Sequence, residues 1–168
     1  KAKNLFVLRN QCQRIASLGS VYSNMLTELG CVDRIVAVEN LDYYNNTALL
    51  DRHRKFPMKE LSKLPEPDIE ATIALEPEVV FTFGMGDKGP DERLTRAGIP
   101  MVIVSDHYEE HPLARAEWIK FFGAFTGKKN EADRIFDSVS SRYLRFRALT
   151  LNVKERPEAF SEIKTGEL

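Results

Sequence analysis

The chain has 168 residues, 43% of them hydrophobic and 29% charged, with a formal net charge of −1. That length supports one domain with its own core, and the near-zero charge argues against a nucleic-acid binder, which carries a basic excess. No apolar run nears the roughly 20 residues that span a bilayer.

Lys1-Ala2-Lys3-Asn4 leads into a short apolar run, Leu5 to Leu8, too short for the core of a signal peptide. An exported form would carry a leader outside this sequence. Cys12 and Cys31 make no disulfide framework and show no C-x-x-C spacing. They read as small buried hydrophobes, with a disulfide as the alternative in an oxidising compartment.

Arg14 to Leu18 reads as a strand that ends at Gly19-Ser20. Ser20 is a good N-cap for a helix over Val21 to Leu29, and Gly30 is its stop. Arg34 to Val38 is a second strand, followed by a polar, aromatic loop from Glu39 to Asn46. Thr47 to Lys63 is partly helical and is interrupted by Pro57. His53, in that charged stretch, is expected to be solvated. Pro67-Asp68 caps a helix over Ile69 to Leu75. Glu78 to Phe83 is the clearest strand, continuously apolar as a strand buried on both faces should be. A loop follows over Gly84 to Gly89, and Pro90 suits the start of a helix running to about Ala97. Pro100 to Ser105 is a fourth strand.

A long helical stretch begins at Pro112. Trp118, Phe121, Phe122 and Phe125 fall at i, i+3, i+4 and i+7, an apolar stripe that belongs in a core. Gly127-Lys128-Lys129-Asn130 breaks it. A second helix, Glu131 to about Thr150, sets Ala132, Ile135, Phe136, Val139, Tyr143 and Phe146 on one face. Ala159 to Ile163 reads as another strand after Pro157. Four successive βα units imply an α/β fold with a mainly parallel central sheet flanked by helices.

In an open α/β sheet, ligands gather at the carboxyl ends of the strands. Four loops qualify. They hold Ser20 and Tyr22, then Tyr43 and Tyr44, then Met85, and finally His107 and Tyr108. Aromatic rings with mixed polar groups suit a large, flat or amphipathic small molecule, held by stacking and a few hydrogen bonds. Gly84-x-Gly86-x-x-Gly89 follows a strand, as a dinucleotide fingerprint would. It sits in the third βα unit, however, and Pro90 leaves its third glycine before the helix. His107 and His111 could hold a metal only on one helix face, and Pro112 makes His111 extended. No serine or cysteine nucleophile shows an elbow motif, and Glu109-Glu110 would diverge on a regular element. No catalytic residue, metal site or cofactor is expected.

Arg14-Ile15-Ala16-Ser17-Leu18-Gly19-Ser20, followed by a helix ending Glu28-Leu29-Gly30, resembles the start of periplasmic binding proteins for ferric siderophores, haem and vitamin B12. Asp33 to Val38 is similar to their second strand. The segment from Pro67 to Phe81 resembles their proline-acidic helix followed by a leucine-x-proline-acidic strand, and Arg96 to Val102 resembles what comes next. The likeness runs to about Thr150.

The resemblance implies a Rossmann-like ligand-binding lobe over 1–130, an interlobe backbone helix over 131–156, and the first strand of a second lobe over 157–168. It implies a siderophore, haem or corrinoid in the interlobe cleft, a monomer, and delivery to the permease of an ABC importer. The protein would be periplasmic or lipid-anchored on the outer face of the cytoplasmic membrane. An acidic residue near the start of the helix after the third strand would dock to the permease, with Asp87, Asp91 and Glu92 as candidates. Two other readings stay open: a dinucleotide-binding domain of an enzyme, and a zinc or manganese carrier with His107 as ligand.

Overall fold

The structure, a computed structural model, describes residues 10–61, 67–83, 91–151 and 153–154. The strands are β1 (Ile15–Leu18), β2 (Ile35–Val38), β3 (Lys59–Glu60), β4 (Val79–Phe83) and β5 (Met101–Val104). They form one sheet in the order β3-β2-β1-β4-β5, every pair parallel. The helices are α1 (Ser20–Glu28), α2 (Thr47–Lys55), α3 (Ile69–Ala74), α4 (Glu92–Arg96), α5 (Pro112–Thr126) and α6 (Lys129–Thr150).

Alternation along the strands divides the core between the sheet's two faces. Ile15, Val79 and Phe81 point to one face, where they meet Tyr22 and Leu26 of α1, Leu49 of α2, Ile119 and Phe122 of α5 and Ala132 of α6. Ala16, Leu18 and Val80 point to the other, against Ile69 of α3 and Leu94 of α4. In β2 the alternation slips. Ile15 pairs with Ile35 but Ala16 with Ala37, so Val36 is an extra residue. This bulge sends Ile35 and Ala37 to opposite faces.

The expected α/β fold with a parallel central sheet flanked by helices is therefore present, and among the described residues it has one strand, β3, that the pattern does not announce. β3 has two residues, both exposed and charged, at the edge beside β2. A charged, very short edge strand has no apolar period to reveal it, and it discourages further pairing. α2 ends at Lys55, and its cap Phe56, before Pro57, is extended, as the restriction on the residue preceding proline demands. Asp68 caps α3 by accepting from the Ala71 amide at 3.0 Å.

α5 and α6 meet through a tight corner. Gly127 adopts φ 68°, and the Gly127 and Lys128 amides both donate to the Gly123 carbonyl. One left-handed residue suffices to turn the chain, so α6 starts at Lys129, two residues before the position expected from sequence. A Cβ at Gly123 would stand 2.7 Å from the Ala132 Cβ, and the glycine lets the two helices cross closely. The aromatic stripe of α5 packs as expected. Phe81 meets the rings of Phe121, Phe122 and Phe125 at 6.1, 5.0 and 5.1 Å between centroids.

The apolar face of α6 is only half used. Ala132, Ile135 and Phe136 join the core, whereas Phe146 is exposed, as are Leu144 and Leu149. The expected strand at 159–163, the loop 84–89 with Met85 and Asp87, and the expected helix start at Pro90 lie outside the described residues. Cys12 and Cys31 are both buried free thiols. Burial pushes the Cys12 thiol up to about 11, with Glu78 adding to the rise.

Candidate ligand-binding site

Because the sheet is parallel, the segments after β1, β2 and β5 emerge at one edge. β1 is central, and the chain leaves it toward β2 on one side and resumes at β4 on the other. That reversal makes the carboxyl ends of β1 and β4 a topological switch point, where such sheets open a crevice.

α1 starts at this point. The expected cap, Ser20, is instead the first helical residue. The cap position is Gly19, and no side chain bonds to the helix start. Position 19 has no room for a side chain. The Tyr22 ring lies directly over Gly19, and a Cβ there would meet its Cε2 at 2.5 Å. Ser20 itself is half-buried at the edge.

Two of the four tyrosines are committed to the core beneath the edge. Tyr22 is 4% exposed. Its ring stacks on Phe122 at 5.9 Å, and its hydroxyl points to the Val104 carbonyl at 3.5 Å. Burial raises the phenol above its ordinary range, and the Asp106 and Glu39 carboxylates add to this. The ends of β2 and β5 thus both bear on one residue of α1. Tyr44 is 7% exposed and donates to the Ser17 carbonyl at 3.3 Å. Ser23 Oγ lies 2.8 Å from Ser17 Oγ and 3.4 Å from the Tyr44 hydroxyl. Burial pushes Tyr44 up to about 12, against the Ser23 hydrogen bond.

The other two tyrosines stand clear. Tyr43 is 67% exposed and Tyr108 is 76% exposed. Tyr43 closes a short 3-10 turn, Leu41–Tyr43, in which the Asn40 side chain accepts from the Asp42 amide at 2.9 Å. The Glu60 carboxylate of β3 accepts from the Leu41 amide at 3.0 Å, so the unexpected strand anchors the loop that carries Tyr43. His107 and Tyr108 lie in a second 3-10 turn after β5, with ring centroids 4.2 Å apart. Glu39, half-buried at the end of β2, was not singled out from sequence. Burial raises its carboxyl above the ordinary value. Only its place directly after an apolar strand could have marked it.

The remaining candidates separate clearly. Asp91 caps α4, accepting from the Arg93 amide at 2.7 Å and from the Arg93 guanidinium at 3.1 and 3.0 Å. The Arg93 hydrogen bond holds its carboxyl below the usual range. Glu92 is exposed. His111 caps α5: its Nδ1 accepts from the Leu113 amide at 3.2 Å, with the extended backbone expected before Pro112. That bond takes up the Nδ1 lone pair, so only Nε2 of His111 remains as a possible donor to a metal. His53 is not simply solvated: it is partly buried, and its Nδ1 accepts from the Met58 amide at 3.1 Å. Among the described residues, no three of His, Cys, Asp and Glu gather as a metal ion would need.

The opposite edge is closed. Glu78 accepts from the amides of Gln13 and Arg14. Arg14 reaches the Leu75 carbonyl at 2.6 Å, and Arg34 reaches those of Cys12 and Thr126 at 3.1 and 2.8 Å. Side chains there tie strands and helix ends together, whereas at the carboxyl edge the Tyr43 and Tyr108 rings are exposed among the described residues.

A doubly wound parallel sheet with an aromatic carboxyl edge and a long trailing helix thus defines the fold, with the crevice at the switch point as its candidate site. The chain belongs to the periplasmic binding protein family, whose model matches residues 15–160. An iron uptake ABC transporter substrate-binding protein from Streptococcus pneumoniae shares the fold with TM-score 0.67 and 17% identity, over 93% of this chain and 54% of that one. A periplasmic heme binding protein from Pseudomonas aeruginosa does so with TM-score 0.61 and 21% identity, over 82% and 46%. An uncharacterized lipoprotein of Methanocaldococcus jannaschii is 32% identical over 80 residues, 47% of this chain and 19% of that protein. The chain spans about half the length of the solved structures it matches.

Proposed function

We propose that this chain forms the first lobe and connecting helix of an extracytoplasmic solute-binding protein that captures a ferric siderophore, haem or a corrinoid and delivers it to an ABC permease. One observation carries the reading: Tyr43, His107 and Tyr108 project from the tips of β2 and β5 at the edge where a doubly wound sheet binds ligands. Exposed rings offer stacking surface to a flat or amphipathic molecule. Ser20 and Met85 complete the proposed contact set, with Tyr22 and Tyr44 supporting it from below. The family and the subjects of the solved relatives support the ligand class.

The ligand would lie in a cleft whose second wall follows residue 157, with α6 as the rigid link. Asp87 and Glu92 are proposed as permease contacts; of the described candidates Glu92 is exposed, whereas Asp91 is engaged by Arg93. Exposed carboxylates add little energy each but set docking register. The lipoprotein relative supports a place outside the cytoplasm, periplasmic or lipid-anchored. The protein is proposed to act as a monomer without catalysis.

The test is a titration of the full-length protein with haemin, cyanocobalamin and ferric hydroxamate and catecholate complexes, followed by absorbance and tryptophan quenching. Tight binding of one of these is expected, weakened about tenfold per ring by Tyr43→Ala or Tyr108→Ala. Silence across the panel would refute the reading.

A further inference from the structure

The ring pair His107–Tyr108 sits on a single turn of 3-10 helix, Asp106–Tyr108. Among the described residues, backbone bonds run to this turn from the Tyr108 amide to the Ser105 carbonyl at 3.1 Å and from the Glu109 amide to the Asp106 carbonyl at 3.2 Å. So short an element has almost no stability of its own. Side chains of α5 hold it from outside. The Arg115 guanidinium donates through Nη2 to the His107 carbonyl at 3.2 Å and through Nε to the Glu109 carbonyl at 3.1 Å. These two contacts straddle Tyr108. One turn further along α5, Trp118 donates from Nε1 to the Glu109 carboxylate at 3.1 Å. The Trp118 ring is itself seated edge-on against Phe121 at 5.2 Å and packs on the core.

We propose that Arg115 and Trp118 are positioning residues, a clamp that holds the His107–Tyr108 rings in their ligand-facing arrangement. The functional half rests on the binding role proposed above; the mechanical half stands without it. A planar guanidinium can serve two carbonyls at a fixed spacing, which an ammonium cannot do in the same way. The indole is rigid and anchored in the core, so its N–H fixes Glu109 in place. Preorganising exposed rings in this way removes part of the ordering cost of binding. Neither residue belongs to the exposed ring set, so their loss changes the placement of the site rather than its chemistry.

The experiment compares the full-length protein with Arg115→Ala, Arg115→Lys and Trp118→Phe by hydrogen exchange and by ligand titration. Amide exchange at Tyr108 and Glu109 is expected to speed up at least tenfold in Arg115→Ala and Trp118→Phe, with β4 amides unchanged. Arg115→Lys should restore only part of the protection. Affinity for whichever of haemin, cyanocobalamin or the ferric complexes binds the parent should fall three- to tenfold. Unchanged exchange at Tyr108 and Glu109 overturns the clamp. Faster exchange with undiminished affinity overturns its role in binding. If no ligand binds the parent, the proposed function fails, and the exchange data still decide the clamp.

Discussion

Gly19→Ala measures how closely the Tyr22 ring is held over the start of α1. At φ 174° and ψ 129° the Gly19 backbone is extended, a conformation any residue adopts. Alanine would restrict the unfolded chain and stabilise the protein by about 0.4–1 kcal/mol if nothing else changed. Something else must change, because the new Cβ would stand 2.5, 2.6 and 3.1 Å from three atoms of the Tyr22 ring. The ring has little room to retreat, with Phe122 stacked on it and its hydroxyl directed at Val104. Overpacking of this kind costs about 1–3 kcal/mol, so clash outweighs entropy and the net loss is about 0.5–2 kcal/mol. In a Tyr22→Leu background the ring atoms are gone. Gly19→Ala should then stabilise, by about 0.4–1 kcal/mol. Urea denaturation of the four proteins of this cycle gives both numbers. The same sign of effect in both backgrounds would refute the packing argument.

Phe81→Ala should cost about 3–5 kcal/mol, because it empties the fully buried centre of the aromatic cluster; a loss under about 1 kcal/mol by the same assay would show that the core collapses into the space. Stability should fall at high pH, in a definite order. The native Cys12 thiol keeps its proton to about 11 rather than 9.0, and Tyr44 to about 12 rather than 10.0. The unfolded chain releases both protons earlier, so stability is intact below pH 9.0 and drains as pH rises through the folded values, by up to about 1.4 kcal/mol per pH unit per group. Cys12→Ala should move the onset of that loss from near pH 9 to near pH 10, which a series of melting curves will show. An onset unmoved by the substitution would place the cause elsewhere.

The strands most readable in the sequence were those buried on both faces. β4 is a continuous apolar run, and a continuous run is what a parallel strand between two helical layers requires. Caps formed by a side chain one residue before an amphipathic segment, such as Asp68, were equally plain. β3 was invisible for the opposite reason. Two exposed charged residues at an edge gain their strand geometry from β2, and nothing local announces it. The start of α1 differs because Ser20 is a favourable cap by type, yet the helix takes as its cap Gly19, where the Tyr22 ring leaves no space for a Cβ. At the candidate site, the sequence places these tyrosines at the carboxyl edge but does not show the division of labour along it. Tyr43 and Tyr44 are adjacent and chemically alike. Only the 3-10 turn turns Tyr43 outward and leaves Tyr44 hydrogen-bonded to Ser17.

That division bears on how the candidate edge can be both firm and open. A ring available to a ligand is a ring without packing of its own, so its direction must be set by something beneath or beside it. Tyr43 takes its direction from a turn capped by Asn40 and fastened by Glu60. Tyr108 takes its direction from carbonyls on both sides bound by Arg115. Beneath them, Tyr22 and Tyr44 link α1 and the loop after β2 to the ends of β5 and β1. The amino edge needs no such arrangement, and there Glu78, Arg14 and Arg34 spend their hydrogen bonds on closing strand and helix ends. Because buried, satisfied groups brace only the carboxyl edge's exposed rings, substitutions in the two tiers should differ in kind. Loss of Tyr43 or Tyr108 should lower affinity at constant stability, while loss of Tyr22 or Tyr44 should lower both together.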